Sequence, residues 1–289
     1  MNKIAVIVDS NSSITQEAAA GLGVSVLPMP FFIDDQLYLD GIDLSKEEFY
    51  EKLKAGSNVS TSQPSPADLA ELWNRLLEDY DEIVHIPMSS GLSASCETAM
   101  ALARSFNNKV QVVDNQRISL TQTSSALDAL DLIKSGKNAK EIKKILENEK
   151  GEASIYVMVD TLEYLKKGGR ITPTAAMIGT VLKIKPVLQL QGEKLDSFAK
   201  ARSQKLAKKI MTDAMMIDIE EKFKDAAENG NMRLGVAHTN NEEDAKVFAE
   251  ELKQVFPWAD IEIESLPLSI ACHIGPGTLA ITAAKKVAV

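Results

Sequence analysis

The amino-acid sequence predicts an α/β fold, because short apolar strand patterns alternate with helical patterns along the chain. Residues 3–9, KIAVIVD, form a continuous β-branched run, which is typical of a strand buried on both faces of a parallel sheet. A helical segment with hydroxyl and amide caps follows, and it ends at a glycine. The run VSVLP at residues 24–28 then predicts a second strand. The order strand, helix, strand is the βαβ unit from which parallel sheets are built.

Helical patterns with start signals continue this alternation up to residue 150. Ser45 and Glu48 stand at capping-box spacing in the segment DLSKEEFYEKLKAG. Pro66 suits the first turn of the next predicted helix, SPADLAELWNRLLEDY. The strand patterns EIVHIPM and KVQVVD are each followed by helical sequence, and the amphipathic segment AKEIKKILENEK completes this part of the chain. These elements predict an N-terminal domain with a mostly parallel sheet.

The pattern changes after about residue 150, where we predict a domain boundary. A strand pattern at 153–160 is followed by short helices, a Gly-Gly turn and the strand KPVLQL. A polar-faced helix is predicted from about 202 to 229, in one or two pieces, and further strands and a helix follow it. A chain of 289 residues is long enough for two ordinary domains or one large one. We predict α/β domains at residues 1–150 and 151–289, with an approximate boundary because no linker composition marks it.

Composition and charge argue against several classes of function. The formal net charge is −9 and no basic run occurs, so nucleic acid is not expected as a partner. No apolar run is long enough to span a bilayer, and no N-terminal signal pattern is present. The cysteines, Cys96 and Cys272, form neither a disulfide framework nor a CxxC pair, which favours the cytoplasm. The histidines, His85, His238 and His273, are too scattered for a zinc site, so no metal is predicted.

The segment MSSGLSAS at residues 88–95 lies where a predicted strand gives way to a predicted helix. Ligands of open α/β sheets bind outside the carboxyl ends of strands, and a helix N-terminus attracts anions. Ser93 therefore has three interpretations: a hydroxyl that holds an anion, an N-cap residue, or a nucleophile. The segment is one residue short of the G-x-S-x-G elbow of serine hydrolases, because Ser95 stands where the elbow has its last glycine.

Three further clusters place polar or charged side chains at turns. The segment SNVSTSQPSPAD contains Thr61 and Ser62, which by themselves indicate turn and capping chemistry. The segment KKGGRI at 166–171 suits either a turn that binds phosphate or carboxylate or a solvated cationic turn. His273 precedes the turn GPG, where it is either structural or a donor to a carboxylate. Cys272 is not expected to act with His273, since neighbours in an extended segment point to opposite faces.

One catalytic alternative stays open, a serine hydrolase or acyltransferase that uses Ser93 with His273. The acid and the histidine of an elbow enzyme follow the serine in the chain, and this order is satisfied. No HGGG-type oxyanion segment accompanies it. A phosphotransfer enzyme is not expected, because no Walker A pattern occurs and no GxGxxG follows the first strand. The segment DSNSS at residues 9–13 offers a single Asp, which is little for an anion or metal site.

Several motifs taken together in chain order indicate a family. They are VDSNSS, YLDGIDLSKEEFYEKL, TSQPSP, IPMSSGLSAS, LEYLKKGGRI, KIKPVLQL and HIGPG, and they extend over essentially the whole chain. In this set the chain resembles the DegV family of fatty-acid-binding proteins. The resemblance implies two α/β domains with a ligand tunnel between them.

The resemblance also implies a function. A DegV-like protein holds a long-chain fatty acid with its tail buried and presents the carboxylate to the catalytic subunit of a separate ATP-dependent fatty acid kinase. The product is an acyl-phosphate, which feeds phospholipid synthesis. By this resemblance the chain is a cytoplasmic lipid carrier with no catalysis of its own and no cofactor beyond the bound fatty acid. Transient contact with a membrane is compatible with that role.

The resemblance assigns the fatty acid carboxylate to hydroxyls and one imidazole, those of Thr61, Ser62, Ser93 and His273. The GGR turn of the family falls on Gly168, Gly169 and Arg170. By the same resemblance, the arginine is expected near the exit of the tunnel, facing the phosphate or the kinase.

The chain departs from the family pattern at two places. Many relatives have Gly-Thr where this chain has Ala94 and Ser95, and a Gly-rich turn where it has DNQRISLTQ at 114–122. The first departure would alter helix packing behind the carboxylate, and the second would alter the shape of the tunnel. Candidate walls of the tunnel are the small and apolar runs Thr174–Ile184 and Gly277–Ala283, with ordinary core packing as the alternative for most of these residues.

Overall fold

The computed structural model describes residues 2–176, 184–191 and 193–288. Within these residues the chain forms a parallel sheet of four strands, an antiparallel sheet of three strands and a mixed sheet of six strands. The first two sheets come from the first half of the chain (up to residue 150), and the third comes from the second half. The predicted α/β fold class is confirmed, as is the mostly parallel sheet of the first half.

In the first half, helices cover both faces of the parallel sheet, whose strand order is β2-β1-β6-β7. The elements of this half are β1 (Ile4–Asp9), α1 (Gln16–Leu22), β2 (Val24–Leu27), β3 (Pro30–Ile33), β4 (Gln36–Leu39), α2 (Lys46–Lys54), β5 (Val59–Thr61), α3 (Pro66–Leu76), β6 (Glu82–Ile86), α4 (Ser95–Ala103), β7 (Val110–Val112), α5 (Leu120–Lys134) and α6 (Ala139–Asn148), with 3₁₀ turns at Ser10–Ser12 and Arg104–Phe106.

Strand β1 lies in the middle of this sheet, and all of its residues are buried. Val6 and Val8 pack in one apolar cluster with residues of α5 and α6. Ala5 and Ile7 point to the other face, where they pack with residues of α3 and α4. Because successive side chains of a strand alternate between faces, a sheet covered on both sides requires the continuous apolar run seen in the sequence.

The predicted helix starts at α2 and α3 are confirmed. Ser45 Oγ accepts the backbone N–H of Glu48 at 3.2 Å, and the Glu48 carboxylate accepts the backbone N–H of Ser45 at 3.1 Å. Pro66 is the first residue of α3, and Ser65 Oγ accepts the N–H of Asp68 at 3.0 Å. Both signals are local, because each capping side chain bonds an N–H group within four residues of it in the sequence.

The antiparallel sheet has the order β4-β3-β5, although no strand is predicted from the sequence for residues 30–39 or 59–61. Strands β3 and β4 are joined through Asp34 and Asp35, which both have a positive φ, as a two-residue hairpin turn requires. The sheet ends β5 at Thr61 and leaves Asp40 immediately after β4. Both residues contribute to the candidate site.

The second half builds the mixed sheet, in which β11 and β12 are parallel and the other neighbours are antiparallel; its strand order is β10-β9-β8-β13-β11-β12. The elements of this half are β8 (Ala153–Met158), α7 (Glu163–Gly168), α8 (Pro173–Ala176), β9 (Lys185–Leu190), β10 (Asp196–Ala201), α9 (Gln204–Glu221), α10 (Lys224–Glu228), β11 (Met232–His238), α11 (Glu242–Val255), β12 (Ile261–Ser265), α12 (Leu268–Ile274) and β13 (Leu279–Lys285). The domain boundary near residue 150 stays a prediction; it falls in the connection between α6 and β8.

Helix α12 corrects the expectation that Cys272 and His273 lie in an extended segment. On this helix Cys272 is buried in an apolar cluster with Tyr50, whereas His273 lines a cavity. The two side chains still diverge, but the reason is the 100° turn between successive helical residues, not strand alternation. The predicted helix at about 202–229 is confirmed in two pieces, α9 and α10.

Helix α5 of the first half packs against β11 of the second. A Cβ built on Gly235 would lie 2.5 Å from Leu120 Cδ1, so glycine allows the strand to approach the helix closely. Beside this contact, Arg233 Nη1 donates to Ser124 Oγ at 2.6 Å and to Asp128 Oδ1 at 2.7 Å. The two halves are therefore joined by a tight apolar contact next to an ion pair. In the described part of the chain, no helix has both the length and the apolar character to cross a membrane.

Replacing Gly235 with Ala is expected to destabilise the protein by about 1–3 kcal/mol, because the new methyl group overpacks the contact with Leu120. The free energy of unfolding is measured by urea titration. The matched control is Gly151→Ala, since a Cβ at Gly151 meets nothing within 4 Å. Equal stability of the two variants would contradict the close packing of β11 on α5.

Candidate functional site

A cavity of about 220 Å³ is lined by residues from both halves of the chain. Its polar lining residues include Thr61, Ser62, Gln63, Ser93, Arg170 and His273. Its buried apolar lining residues include Met29, Met88, Leu92, Ile118, Leu165 and Leu195. Ser62, Gln63 and Ala94 are exposed, so the cavity opens to the surface beside its hydroxyl-bearing residues, which form its polar end, while Asn11 and Ser269 add buried polar atoms to a mostly apolar interior. The cavity therefore suits an elongated ligand with one polar end.

The central contact of the polar end joins Thr61 of β5 to His273 of α12. Thr61 Oγ1 lies 2.8 Å from His273 Nε2, and the two residues are 212 positions apart in the sequence. Thr61 comes from the small antiparallel sheet of the first half, whereas His273 lies in the last turn of a helix of the second half. The contact therefore depends on how the two halves pack.

His273 is held in its neutral form. Burial, together with the positive charge of Arg170, lowers the pKa of the imidazole to about 4. Nδ1 is buried and has no hydrogen-bond partner among the described residues. We assign the ring proton to Nε2, because a buried N–H without an acceptor is rarer than an unpaired acceptor. In this tautomer His273 donates to Thr61 Oγ1, and the Thr61 hydroxyl is left to donate to a ligand.

Gly168 packs directly against the imidazole of His273. A Cβ built on Gly168 would lie 2.1 Å from His273 Nδ1, so any larger residue would displace the ring. Gly169 ends α7 in the left-handed conformation, with a φ of 69°, and it is exposed. The Gly-Gly pair thus has two separate roles, space for His273 and a helix end. Neither glycine lines the cavity.

Arg170 links this turn to the loop that carries Ser93. Its Nε donates to the carbonyl oxygen of Leu92 at 3.2 Å, and its Nη1 donates to the carbonyl oxygen of Gly168. The side chain also lines the cavity. Arg170 therefore places a positive charge at the polar end, whereas Lys167 is exposed and donates to Asn58 Oδ1 at 3.0 Å.

Ser93 lines the cavity and forms the turn just before α4. Its Oγ accepts the N–H of Ser95, the first residue of α4, at 3.2 Å. The N-cap position itself is Ala94, so the structure supports the turn interpretation of Ser93, and its hydroxyl hydrogen remains able to donate. Close by, a Cβ on Gly91 would lie 2.4 Å from the Cα atom of Glu193, so the second half packs directly on this loop. The turn-forming and ligand-holding roles of Ser93 are compatible with each other.

Asp9 fixes the start of the Ser93 loop from within the core. Its Oδ2 accepts the N–H of Met88 at 2.8 Å, and its Oδ1 accepts from Gln122 Nε2 at 3.0 Å. Burial raises the pKa of this carboxyl to about 6, even though these hydrogen bonds act in the opposite direction. The DSNSS segment thus serves the site structurally. Its Asn11 also lines the cavity.

The geometry does not form a serine hydrolase triad. His273 Nε2 is engaged with Thr61, and no carboxylate among the described residues orients Nδ1. An imidazole with a pKa of about 4 is also a weak general base at neutral pH. His238 lies elsewhere, with its Nδ1 accepting the N–H of Asn241 at 3.3 Å. In the parts of the chain that the structure describes, no group of three or more His, Cys, Asp or Glu could hold a metal ion.

The structure bears differently on the two runs that were candidate tunnel walls. Within Thr174–Ile184, residues 177–183 lie outside the described residues, while Ala175 and Ile184 pack in the apolar cluster that includes cavity-lining residues. The run Gly277–Ala283 fits the core-packing alternative, because most of it belongs to β13, a central strand of the mixed sheet, and none of it is among the residues that line the cavity. A buried strand and a tunnel wall are both apolar and small, so composition does not separate them.

Among the lining residues that the sequence did not predict are Ser269, Ile270 and Ile274. These three lie on α12, as does His273. The spacing of Ser269, His273 and their neighbours is that of one helix face, and recognising the helix would have revealed them.

The stability that His273 contributes is expected to depend on pH. The folded-state pKa of about 4 lies below the ordinary value of 6.5, so the unfolded chain takes up a proton first as the pH falls. The contribution is fully present above about pH 6.5 and is lost as the pH falls through about 4. The difference in melting temperature between wild type and His273→Gln is therefore expected to shrink from about pH 7 to about pH 4.5. A constant difference would contradict a buried neutral imidazole; His85 and His238 are present in both proteins and cancel.

The comparisons with known proteins agree with this architecture. A model of the DegV family matches residues 3–286. A DegV domain-containing protein from Deinococcus radiodurans is 32% identical over 281 residues, which cover 96% of this chain and 97% of the relative.

Solved structures of relatives share the fold over nearly the whole chain. A fatty-acid-binding DegV family protein from Thermus thermophilus has a TM-score of 0.88 at 29% identity, covering 98% of this chain and 99% of its own. DegV from Bacillus subtilis, a fatty acid binding protein, has a TM-score of 0.85 at 32% identity, covering 99% of this chain and 100% of its own. Sequence and structure lead to the same conclusion: the chain belongs to the DegV family.

Proposed function

We propose that this protein binds a long-chain fatty acid in the cavity between its halves and presents the carboxylate to a separate ATP-dependent kinase. The observation that carries the proposal is the polarity of the cavity, with hydroxyls, an imidazole and Arg170 at the exposed end and apolar side chains at the buried end. The fatty acid binding of the related proteins from Thermus thermophilus and Bacillus subtilis supports the same ligand class.

The head group is held by neutral hydroxyl donors, and Arg170 adds a positive charge at the same end of the cavity. Thr61 donates through the hydroxyl hydrogen that His273 leaves free, and Ser93 donates from the turn before α4. Hydrogen bonds to an ionised carboxylate are stronger than hydrogen bonds between neutral groups. Ser62 is exposed at the same rim and completes the set of hydroxyls. These neutral donors solvate the carboxylate and leave an oxygen lone pair available for attack on phosphorus.

The tail supplies the binding energy. Each buried methylene contributes about 0.8 kcal/mol, so about fourteen methylenes contribute roughly 11 kcal/mol before the costs of association. Met29, Met88 and Ile118 from the first half and Leu165 and Leu195 from the second provide apolar surface for the chain. The tail binds through the hydrophobic effect, which has no preferred direction, so the head group fixes the orientation of the fatty acid.

Phosphorylation is the task of the partner. The carboxylate oxygen attacks the γ-phosphorus of ATP, the new P–O bond gives an acyl-phosphate, and ADP leaves from the kinase subunit. The sequence has neither a Walker A pattern nor a GxGxxG after its first strand, which supports an external source of ATP. Arg170 at the polar end suits the added negative charge of the product. The acyl-phosphate then feeds phospholipid synthesis, and a cytoplasmic carrier in transient contact with the membrane fits this role.

The proposal is tested by titrating delipidated protein with palmitate and following binding by calorimetry. Ser93→Ala and Thr61→Val are each expected to weaken palmitate binding by about 10- to 100-fold, the effect of losing one hydrogen bond to a charged group. Ser60→Ala is the matched control, because Ser60 is exposed on β5 next to Thr61 and does not line the cavity. Unchanged affinity in both site variants would reject this assignment of the carboxylate.

A fluorophosphonate probe separates the carrier from a serine hydrolase. The carrier is expected to remain unlabelled, because Ser93 has no general base within the described geometry. Labelling that disappears in Ser93→Ala would instead establish a nucleophilic serine.

A further inference from the structure

Helix α12 carries a large part of the cavity lining but lacks an N-cap of its own. Ser269, Ile270, His273 and Ile274 of this helix all line the cavity. Pro267 occupies the N-cap position, and no side chain of the cap residue bonds the first helical N–H groups. A short helix with unsatisfied N–H groups at its buried start requires an acceptor from elsewhere in the fold.

Asp40, which is 228 positions earlier in the sequence, supplies that acceptor. Its Oδ1 accepts the N–H of Leu268 at 3.1 Å, and its Oδ2 accepts the N–H of Ser269 at 3.1 Å. Ser269 Oγ lies 2.6 Å from the same Oδ2. A carboxylate in this position also complements the positive end of the helix dipole. Asp40 is 4% exposed, so water does not compete for these bonds.

Asp40 is itself held firmly in the first half of the chain. Its backbone N–H donates to the carbonyl oxygen of Met29 at 2.9 Å. Ser10 Oγ donates to its Oδ2 at 3.3 Å, and the same Oγ accepts the N–H of Met29 at 3.1 Å. Ser10 directly follows β1, so the carboxylate is tied to the edge of the parallel sheet where that strand ends. The start of α12 is thereby fixed relative to the first half.

The position of the helix determines the position of His273. Five residues separate Leu268 from His273, a distance of about 7.5 Å along the helix axis. The imidazole has little room to adjust, because Gly168 contacts it closely from below. A shift or rotation of α12 would therefore lengthen the 2.8 Å contact between His273 and Thr61.

We propose that Asp40 is a positioning residue for the carboxylate site: it caps α12 across the two halves, fixes His273, and so orients the Thr61 hydroxyl towards the ligand. Asp40 does not line the cavity and acts only through α12. The inference rests on the proposed function, because the ligand it concerns is the fatty acid carboxylate. A role in stability alone makes a different prediction, since it would affect all ligands of the cavity alike.

The test compares palmitate with methyl palmitate, which has the same chain without the charged head group. Asp40→Ala is expected to weaken palmitate binding by about tenfold or more and methyl palmitate binding by less than about threefold. Asp43→Asn is the matched control, because Asp43 belongs to the same loop but its carboxylate accepts the N–H of Leu39, whereas Asp40 accepts those of α12. Equal losses for the two ligands would reject a positioning role.

Two further measurements keep the test decisive. Asp40→Asn retains one acceptor oxygen for α12, so it is expected to fold and to fall between wild type and Asp40→Ala in palmitate affinity. It is also expected to shift the ¹⁵N resonance of His273 Nε2, whereas Asp43→Asn leaves that resonance in place. An unshifted resonance with unchanged palmitate affinity would overturn the inference.

A double-mutant cycle with His273→Ala tests whether Asp40 affects palmitate binding through His273. If Asp40 acts through His273, Asp40→Ala adds less than about twofold to the loss already caused by His273→Ala. If the losses of palmitate affinity in the two single variants add fully in the double variant, Asp40 does not act through His273. The outcomes also separate the two proposals: wild type that binds neither ligand rejects the carrier function, whereas wild type that binds palmitate with Asp40→Ala unchanged rejects the positioning role alone.

Discussion

The hydrogen bond between Thr61 and His273 is the constraint on which the site depends. It joins the end of a short strand in the first half to the last turn of a helix in the second. His273 donates this bond as a neutral imidazole, because burial and the neighbouring Arg170 lower its pKa to about 4. The bond requires Gly168, because only a residue without a Cβ leaves room for the ring. One contact therefore explains why these separate sequence motifs occur together.

The surrounding fold supports the site with two buried carboxylates. Asp9 holds the N–H of Met88 at the start of the Ser93 loop, and Asp40 holds the first N–H groups of α12. Each carboxylate is buried and satisfied by several donors, which is the condition for tolerating such a group in a core. A rigid polar end can then orient a ligand whose binding energy comes from its apolar tail.

Local signals in the sequence predicted much of the fold. The apolar run of β1, the capping box of Ser45 and the proline at the start of α3 all act within a few residues, and all are confirmed. Local signals could not predict the antiparallel sheet or α12, because the contacts that stabilise them join residues far apart in the sequence. Strand β3 pairs with β5 across a helix, and α12 is capped by Asp40. For the site, hydroxyls at turns could be recognised as candidates, but only the fold brings them to one cavity. For Gly277–Ala283 the sequence could not decide between tunnel wall and core, because a buried strand has the same composition as a tunnel wall.

The most direct test of the central claim is mass spectrometry of an organic extract from the folded protein, purified without added lipid. A carrier with this cavity is predicted to release a fatty acid at about one molecule per chain, and the spectrum would identify the preferred length and unsaturation of the acyl chain. An extract without any fatty acid, together with delipidated protein that fails to bind added palmitate or oleate, would contradict the account.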